Sequence, residues 1–273
     1  MQTVTTATQA MAAVAAKPKR SPKVRRGVIG VVVLAAILEA VPRLGIVDQA
    51  FLPPLSAVLA KLGVELINPE FLLATFDTLL TWFLGMAIAT VIAIPLGTLL
   101  GLSDFTYRVS RAAIDLIRPI PPIALIPLLI LVLGQTLEMK LALVVFAVVW
   151  PILFNTISGV RDVDPQLVQM AQSFQHTRMQ AIRRIVLPSA APFMATGVRI
   201  ASSIALIVVV TVEMIAGGDS GLGAYIAEAR AIGTDVPKIF SGTLMTGVLG
   251  LIINSIIGAI ESRVFSWNER KAS

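Results

Sequence analysis

The sequence predicts an all-α, polytopic membrane protein with about six transmembrane helices. Of its 273 residues, 56% are hydrophobic and 14% are charged, whereas about a quarter of the residues in a soluble globular domain carry a charge. The mean hydropathy is +0.86. Long apolar runs are typical of helices that cross the hydrocarbon core of a membrane. They predict spans at residues 27–47, 74–102, 120–135, 139–159, 190–216 and 240–262.

The third predicted span is the least regular of the six. Its sequence RPIPPIALIPLLILVLG (residues 118–134) contains four prolines, Pro119, Pro121, Pro122 and Pro127. Proline removes a backbone donor and kinks a helix. Membrane proteins tolerate such a break where neighbouring helices or a cavity satisfy the freed carbonyl groups. We therefore expect this span to lie inside a helix bundle or beside a pathway.

The distribution of basic residues predicts the orientation in the membrane. With the N-terminus inside, sixteen Lys and Arg residues fall on the inner side and five on the outer side, with Arg199 in the fifth span left out. This asymmetry follows the positive-inside rule, which accounts for the net charge of +6 without a nucleic-acid partner. Both termini are then cytoplasmic. The predicted segments are a tail (1–26), a first transmembrane helix with an extracytoplasmic connection (27–73), a five-helix core (74–265) containing a cytoplasmic loop (161–189), and a tail (266–273).

The sequence lacks the motifs of several enzyme classes. No Gly-Lys-Ser/Thr occurs, so we expect no phosphate-binding P-loop in this chain. The single histidine, His176, excludes a His-Glu-x-x-His zinc site, and no Gly-x-Ser-x-Gly elbow is present. Without cysteine there is no thiolate metal site. We therefore expect neither an enzyme nor a metal protein.

The longest polar stretch inside the chain, VDPQLVQMAQSFQHTRMQAIRRIVLP (residues 163–188), predicts two short amphipathic helices. Asp164 followed by Pro165 is a strong helix start. An apolar stripe then follows at helical spacing, at Leu167, Met170, Ala171 and Phe174. After a break at residues 175–177, Thr177 can cap a second helix that carries three arginines. Periodicity alone fits a connector resting on lipid headgroups about equally well.

Polar residues within the spans are candidates for a functional path, because ionisable groups are costly in a membrane. The candidates are Asn155, Ser202, Ser203, Thr211 and Glu213. Hydroxyls in spans also bond the backbone or neighbouring helices. Glu213 precedes a turn rich in glycine, with Gly217, Gly218, Gly221 and Gly223, and could instead hold that turn. We expect Glu39 and Asp77, near span ends, to make headgroup or helix-cap contacts.

Three stretches in the same order carry a resemblance to a family. The polar stretch is similar to the cytoplasmic Glu-Ala-Ala loop of ABC-transporter permeases, with Gln169, Met170 and Ala171 at the Glu-Ala-Ala positions and Gln175 at the glycine. The proline-rich span, WPILFNTISGVRDVDP (residues 150–165) and VEMIAGGDSGLGAYIAEA (residues 212–229) resemble the nitrate/taurine/sulfonate-type permeases. The resemblance covers roughly residues 50–265.

This resemblance implies a type I ABC importer permease in the bacterial inner membrane. Two copies would form the path for a small anion such as a sulfonate, taurine or nitrate, which an extracytoplasmic binding protein delivers. Two ATPase subunits would hold ATP-Mg, and this chain would bind no cofactor. The residues that would contact them are Gln169, Met170, Ala171, Phe174, Gln175, Arg178, Arg183 and Arg184. The polar span residues would line the path, and the prolines and glycines would shape the backbone.

Two substitutions depart from the loop pattern. Gln169 can form a hydrogen bond where glutamate would form an ion pair. If the turn needs a left-handed residue, Gln175 costs roughly 1 kcal/mol relative to glycine, unless the turn shifts onto His176.

Two alternatives to an ABC permease stay open. A secondary transporter driven by an ion gradient would show mid-membrane acids and inverted repeats, neither of which is clear here. A non-transporting membrane scaffold would need neither the broken span nor the polar span residues.

Overall fold

The computed structural model describes residues 23–217, 220–233 and 235–265, and every regular element among them is helical. Residues 1–22 of the predicted N-terminal tail (1–26), the predicted C-terminal tail (266–273) and Gly218 lie outside these residues. The helices are α1 (Lys23–Arg43), α2 (Leu55–Glu65), α3 (Pro69–Gly101), α4 (Asp104–Ile117), a 3₁₀ turn (Pro122–Leu125), α5 (Ile126–Leu133), α6 (Leu137–Arg161), α7 (Pro165–Ser173), α8 (Arg178–Ala216), α9 (Leu222–Ile232) and α10 (Val236–Val264).

The chain divides into two compact units at Ser56. In the first unit, the carboxylate of Glu39 accepts hydrogen bonds from the backbone N and the Oγ of Ser56, both at 2.8 Å. Arg43, one turn along α1, forms an ion pair with the same carboxylate. Glu39 thus makes the cap-type contact expected from the sequence.

Four helices of the described chain are long and apolar enough to cross a membrane, namely α3, α6, α8 and α10. A fifth span results if α4 and residues 122–133, which are bent by 70°, are counted as one. Length and composition therefore support four or five spans among the described helices, against about six predicted from the sequence. The predicted first span falls short because Arg26 and Glu39 leave only twelve uncharged residues between them in α1, against about 20 for a full span.

The predicted third span at residues 120–135 is not a single helix. Helix α4 ends at Ile117, a 3₁₀ turn begins at Pro122, and Pro127 is the second residue of α5. Prolines fit the first turn of a helix but not its interior, which is why the chain restarts twice. Arg161 holds the start of α4 against the end of α6, with its guanidinium 2.6 Å from Asp104 and over the ring of Tyr107.

Small residues allow α3 and α6 to pack closely along their length. A stripe repeats every four residues on the buried face of α3, at Gly85, Ala89, Ala93, Gly97 and Gly101. A Cβ on Gly97 would lie 2.8 Å from the Cβ of Thr156, and one on Gly101 the same distance from Val160. The two helices therefore run parallel with their backbones in near contact, as in other small-residue membrane interfaces.

Helix α8 is one continuous helix of 39 residues that contains a π turn at Ile182–Val186. The sequence had predicted a separate short helix and a span that starts only at residue 190, and this division is wrong. The Leu187 N–H donates to the carbonyl of Ile182, five residues back. Because Pro188 has no N–H, the wider turn absorbs its ring without ending the helix.

Candidate functional site

The 161–189 loop contains helix α7 (Pro165–Ser173), and hydrogen bonds cap both ends of this helix. The Asp164 carboxylate accepts from the backbone N of Gln166 at 2.8 Å, as the predicted cap requires. At the other end the His176 N–H donates to the carbonyl of Ala171 at 3.1 Å, the long bond of a Schellman turn. Gln175 occupies the left-handed position with φ 57°, the only non-glycine residue with positive φ in the described chain. The turn therefore stays on Gln175 and does not shift onto His176.

Helix α8 starts with a reciprocal cap at Thr177. Its Oγ1 accepts from the backbone N of Gln180, and the Gln180 side chain accepts from the Thr177 N–H at 2.8 Å. This capping box satisfies two backbone donors that a helix start leaves free. The predicted cap at Thr177 is confirmed.

The loop exposes several large apolar side chains. The predicted apolar stripe of α7 divides, because Ala171 is buried whereas Met170 and Phe174 are 55% and 71% exposed. Met179, in the first turn of α8, is 59% exposed. Other predicted contact residues share this exposure, namely Gln169, Gln175, Arg178, Arg183 and Arg184. Single exposed apolar residues are ordinary, but a group of them on a polar loop marks an interaction surface.

At the opposite end of the second unit, Glu213 is buried and holds the start of α9. Its Oε2 accepts from the Thr78 hydroxyl at 2.8 Å and from the Gly223 N–H at 3.0 Å. The Thr78 hydroxyl in turn accepts from the Leu222 N–H at 2.7 Å. Glu213 Oε1 has no hydrogen-bond partner in the described chain. We call these residues the Glu213 cluster; they fit the reading in which Glu213 holds the outer turn.

The glycines of this turn are needed for two physical reasons. Gly217 and Gly221 have φ of 68° and 109°, where other L-residues are strained. A Cβ on Gly221 would also collide with the Glu213 carboxylate, and one on Gly223 would collide with the carbonyl of Val210. Side chains at Gly221 or Gly223 would therefore push the turn away from α8.

Lys140 supports the same turn from α6. The side chain is 5% exposed, and its Nζ donates to the carbonyl of Ser220 at 2.8 Å and contacts the Ser220 Oγ at 3.2 Å. The sequence placed Lys140 only among the outer basic residues and gave Thr78 no role. The role of Lys140 could have been inferred from its position, since a lysine just inside an apolar span needs a partner. Nothing in the sequence distinguishes Thr78 from other threonines in the spans.

A network of ion pairs and hydrogen bonds joins α2 to the residues before α10. Lys61 Nζ lies 2.5 Å from the Asp235 carboxylate, and this bond raises the pKa of Lys61 above its usual value. Burial opposes ionisation of Asp235, but its bonds to Lys61 and to the Lys238 N–H lower its pKa overall. Glu65 accepts from the Tyr225 hydroxyl at 2.7 Å, and burial together with this bond raises the pKa of Tyr225.

A pocket of about 580 Å³ lies between the first turns of α3 and helix α9. We call it the acidic pocket because its lining includes the carboxylates of Glu70, Asp77 and Glu228. Its other lining residues are Leu73, Ala74, Ser220, Gly221, Ala224 and Tyr225. Asp77, half-buried, lines this pocket and caps no helix. The cap contact that the sequence suggested for it is therefore wrong.

None of the five predicted path residues lines the acidic pocket. Asn155 and Thr211 donate to carbonyls of their own helices, at Pro151 and Ile207. Ser202 is buried with no partner for its hydroxyl in the described chain, whereas Ser203 is exposed.

Comparison with known proteins gives this architecture its family. Residues 93–266 match the family described as "Binding-protein-dependent transport system inner membrane component". The chain belongs to this family of ABC permeases. The permease is 29% identical to the taurine transport system permease protein of Escherichia coli K12, over 91% of this chain and 93% of the relative. It is 27% identical to the nitrate import permease protein of Synechocystis sp. PCC 6803, over 89% and 90%.

A solved structure supports the fold of the permease. A chain of the inward-facing MetNI methionine ABC transporter superposes with a TM-score of 0.64 at 20% identity, covering 72% of this chain and 98% of that one. The predicted all-α, type I ABC importer permease fold is therefore confirmed. The permease is a polytopic membrane subunit of an ABC transporter.

Proposed function

We propose that this permease forms, with a second copy of itself, the translocation path of an ATP-driven importer for a small anion. Two cytoplasmic ATPase subunits dock on the 161–189 loop, and an extracytoplasmic binding protein delivers the solute. Both termini lie in the cytoplasm of a bacterial cell whose inner membrane holds the complex. ATP-Mg belongs to the ATPase subunits, and this chain carries out no covalent chemistry.

The observation that carries the proposal is the exposed apolar surface of the loop. Phe174 and Met170 are more than half exposed on a segment whose backbone is fully capped. A capped helix keeps its shape without a partner, so the exposed side chains are free to bind one. Arginines at positions 178, 183 and 184 are exposed in the helix that follows and would meet polar groups of the ATPase groove.

The continuity of α8 supports a mechanical role for the docked loop. The helix that begins inside the loop at Arg178 is the same helix that ends at Ala216. About 1.5 Å of rise per residue makes it roughly 58 Å long. Closure of the ATPase subunits would therefore move a rigid rod that passes through the membrane, a rigid-element transition of a known kind.

The substrate class is inferred from the relatives and from the polar span residues. The relatives named above are described as taurine and nitrate permeases, and a sulfonate group and nitrate are both small oxyanions. Hydroxyl and amide groups suit such ions because they donate hydrogen bonds without a fixed charge. Five residues are proposed to border the path or its outer gate, namely Asn155, Ser202, Ser203, Thr211 and Glu213. Of these, Ser203 is exposed on α8.

Co-purification with the ATPase subunits tests the docking surface directly. Replacing Met170 and Phe174 with Asp places charges in an apolar contact and should abolish co-purification. The matched control is Ile67→Asp, which charges a side chain that is 80% exposed at the opposite end of the second unit and should leave the complex intact. Unchanged association of the double variant would refute the docking assignment.

Transport in proteoliposomes separates the proposed importer from its two rivals. An importer requires ATP and the binding protein and is insensitive to dissipation of the proton gradient. Uptake that persists without ATP and collapses with the gradient would establish a secondary transporter. A complex that binds ATPase subunits but moves no taurine, sulfonate or nitrate under any condition would favour a scaffold.

A further inference from the structure

The acidic pocket has no role in the coupling or path assignments. Its carboxylates come from two elements, Glu70 and Asp77 from α3 and Glu228 from α9. Glu70 and Glu228 are exposed, and Asp77 is half-buried. All three can therefore reach a molecule that enters the pocket from water.

These carboxylates are not neutralised by the basic residues around them. Three lysines lie near the pocket, and each has other partners. Lys61 pairs with Glu65 and Asp235, Lys238 lies over the Tyr225 ring, and Lys140 donates to Ser220. Glu70, Asp77 and Glu228 form no ion pair within the described chain. No basic side chain of the described chain therefore holds these three carboxylates, and each can pair with a cation that enters the pocket.

A fourth carboxylate lies behind the wall of the pocket. Glu213 is fully buried, and its unpartnered Oε1 points at Gly221, a residue of the pocket wall. An unpaired buried polar atom is costly. A positive charge in the pocket would lower that cost through its electric field at Glu213 Oε1. The unpartnered atom and the three surface carboxylates thus favour the same occupant, which is a cation.

The spacing of the acids decides what kind of cation fits. No three acidic or histidine side chains of the described chain lie close enough together to hold one metal ion. A single small ammonium ion could likewise meet only part of a pocket of about 580 Å³. Anionic lipid headgroups would be repelled. Several basic side chains presented by a protein surface match both the size and the distribution of the charges.

We propose that the acidic pocket is the docking site for lysine and arginine side chains of the extracytoplasmic binding protein. This inference rests on the proposed function and adds the chemistry of the contact. The pocket lies at the end of the second unit opposite the 161–189 loop, where a binding protein would have to dock. Charge pairs at an exposed rim steer association and weaken with salt. A cation that docks there also lies beside the Glu213 cluster, which holds the outer turn.

The test uses the permease in nanodiscs with its ATPase subunits and two probes. The first is a fluorescent decalysine peptide, and the second is the binding protein encoded with the permease. The triple variant Glu70→Gln, Asp77→Asn, Glu228→Gln should weaken both interactions about tenfold at low salt, at less than 1 kcal/mol per exposed pair. Binding-protein stimulation of ATP hydrolysis should fall in parallel, while basal hydrolysis stays unchanged. Glu138→Gln is the matched control, an acidic residue at the same end but outside the pocket.

Each result decides a separate question. Equal binding and stimulation in the triple variant and the wild type, or an equal loss with Glu138→Gln, would overturn the docking site. Calcium binding to the wild type that the triple variant lacks would replace it with a metal site. Absence of any ATPase subunit from the complex would instead refute the proposed function. If the triple variant does not assemble, Glu70→Gln with Glu228→Gln, both at exposed positions, should give a loss of about threefold.

Discussion

Thr78→Val is the sharpest test of the Glu213 cluster because it removes one hydroxyl and keeps the shape of the side chain. In the wild type that hydroxyl donates to Glu213 Oε2 at 2.8 Å and accepts from the Leu222 N–H at 2.7 Å. In the variant Glu213 keeps only the bond from Gly223, and the Leu222 N–H has no acceptor. Leu222, Thr78 and Glu213 are each 0% exposed, so water cannot replace the lost bonds without opening the turn.

The expected loss follows from the Leu222 N–H, which becomes unsatisfied, and from Glu213 Oε2, which loses one of its two hydrogen bonds. An unsatisfied buried donor costs about 1–3 kcal/mol and a lost hydrogen bond about 0.5–1.5 kcal/mol, which gives about 2–4 kcal/mol for the variant. A change of 1 kcal/mol moves the midpoint of thermal unfolding by about 2–4 °C in a domain of similar size. We therefore expect the midpoint in detergent to fall by about 5–10 °C.

Thr75→Val provides the matched control on the same helix. Thr75 is also buried, but its hydroxyl bonds only to the carbonyl of Phe71 in its own helix, at 2.8 Å. That carbonyl keeps its helical partner after the substitution, so the cost should stay below about 1 kcal/mol. The measurement is intrinsic fluorescence during a thermal ramp of the purified permease. If Thr78→Val lowers the midpoint no more than Thr75→Val, the hydroxyl does not join α3 to the outer turn and the cluster is wrongly assigned.

Four further positions give expected outcomes of their own. Gly97→Leu should prevent α3 from packing on α6 and abolish a monodisperse peak in size-exclusion chromatography, whereas Gly63→Leu, at a position with open space, should not. Asp235→Asn keeps the helix cap but loses the ion pair, so it should lower the thermal midpoint at neutral pH. Because the folded pKa of Asp235 is lowered, this difference should disappear as the pH falls below the usual carboxyl range. Gln175→Gly should stabilise the permease by about 0.5–1 kcal/mol in denaturant titration. Deleting Ile185 should convert the π turn into an α turn, set the Pro188 ring against a carbonyl of the preceding turn, and stop ATP-driven transport with assembly intact, whereas Ile185→Ala should not.

Local signals in the sequence predicted the 161–189 loop well. The cap at Thr177 and the left-handed turn at Gln175 depend on residues within three or four positions of each other, and both appear in the structure. Such short-range bonds form whatever the rest of the chain does. The resemblance pointed to Gln175 as the glycine position, and the Schellman bond to Ala171 gives the physical reason for it.

Predictions that depend on distant packing were less successful. Composition indicates that a run is apolar, but Arg26 and Glu39 limit the uncharged part of α1 to twelve residues, and the prolines after Ile117 divide the predicted third span. The second half of the loop is continuous with α8 because a π turn accommodates Pro188. Hydrophobic periodicity does not predict a π turn. Thr78 and Glu213 are 135 residues apart in the sequence, so only the fold could pair them.

The path of α8 suggests how the two ends of the permease communicate. Its first turn is tied to the loop by the Thr177 cap, and its last turn carries Glu213, which holds the outer turn through the Gly223 N–H. Between them the close packing against α6 at Gly197 prevents the helix from bending freely. Coupling between distant sites needs an element that both sites can bias, and here a single helix meets that condition. The π turn, at the boundary between loop and span, is then the place where motion of the loop is either passed on to Glu213 or absorbed.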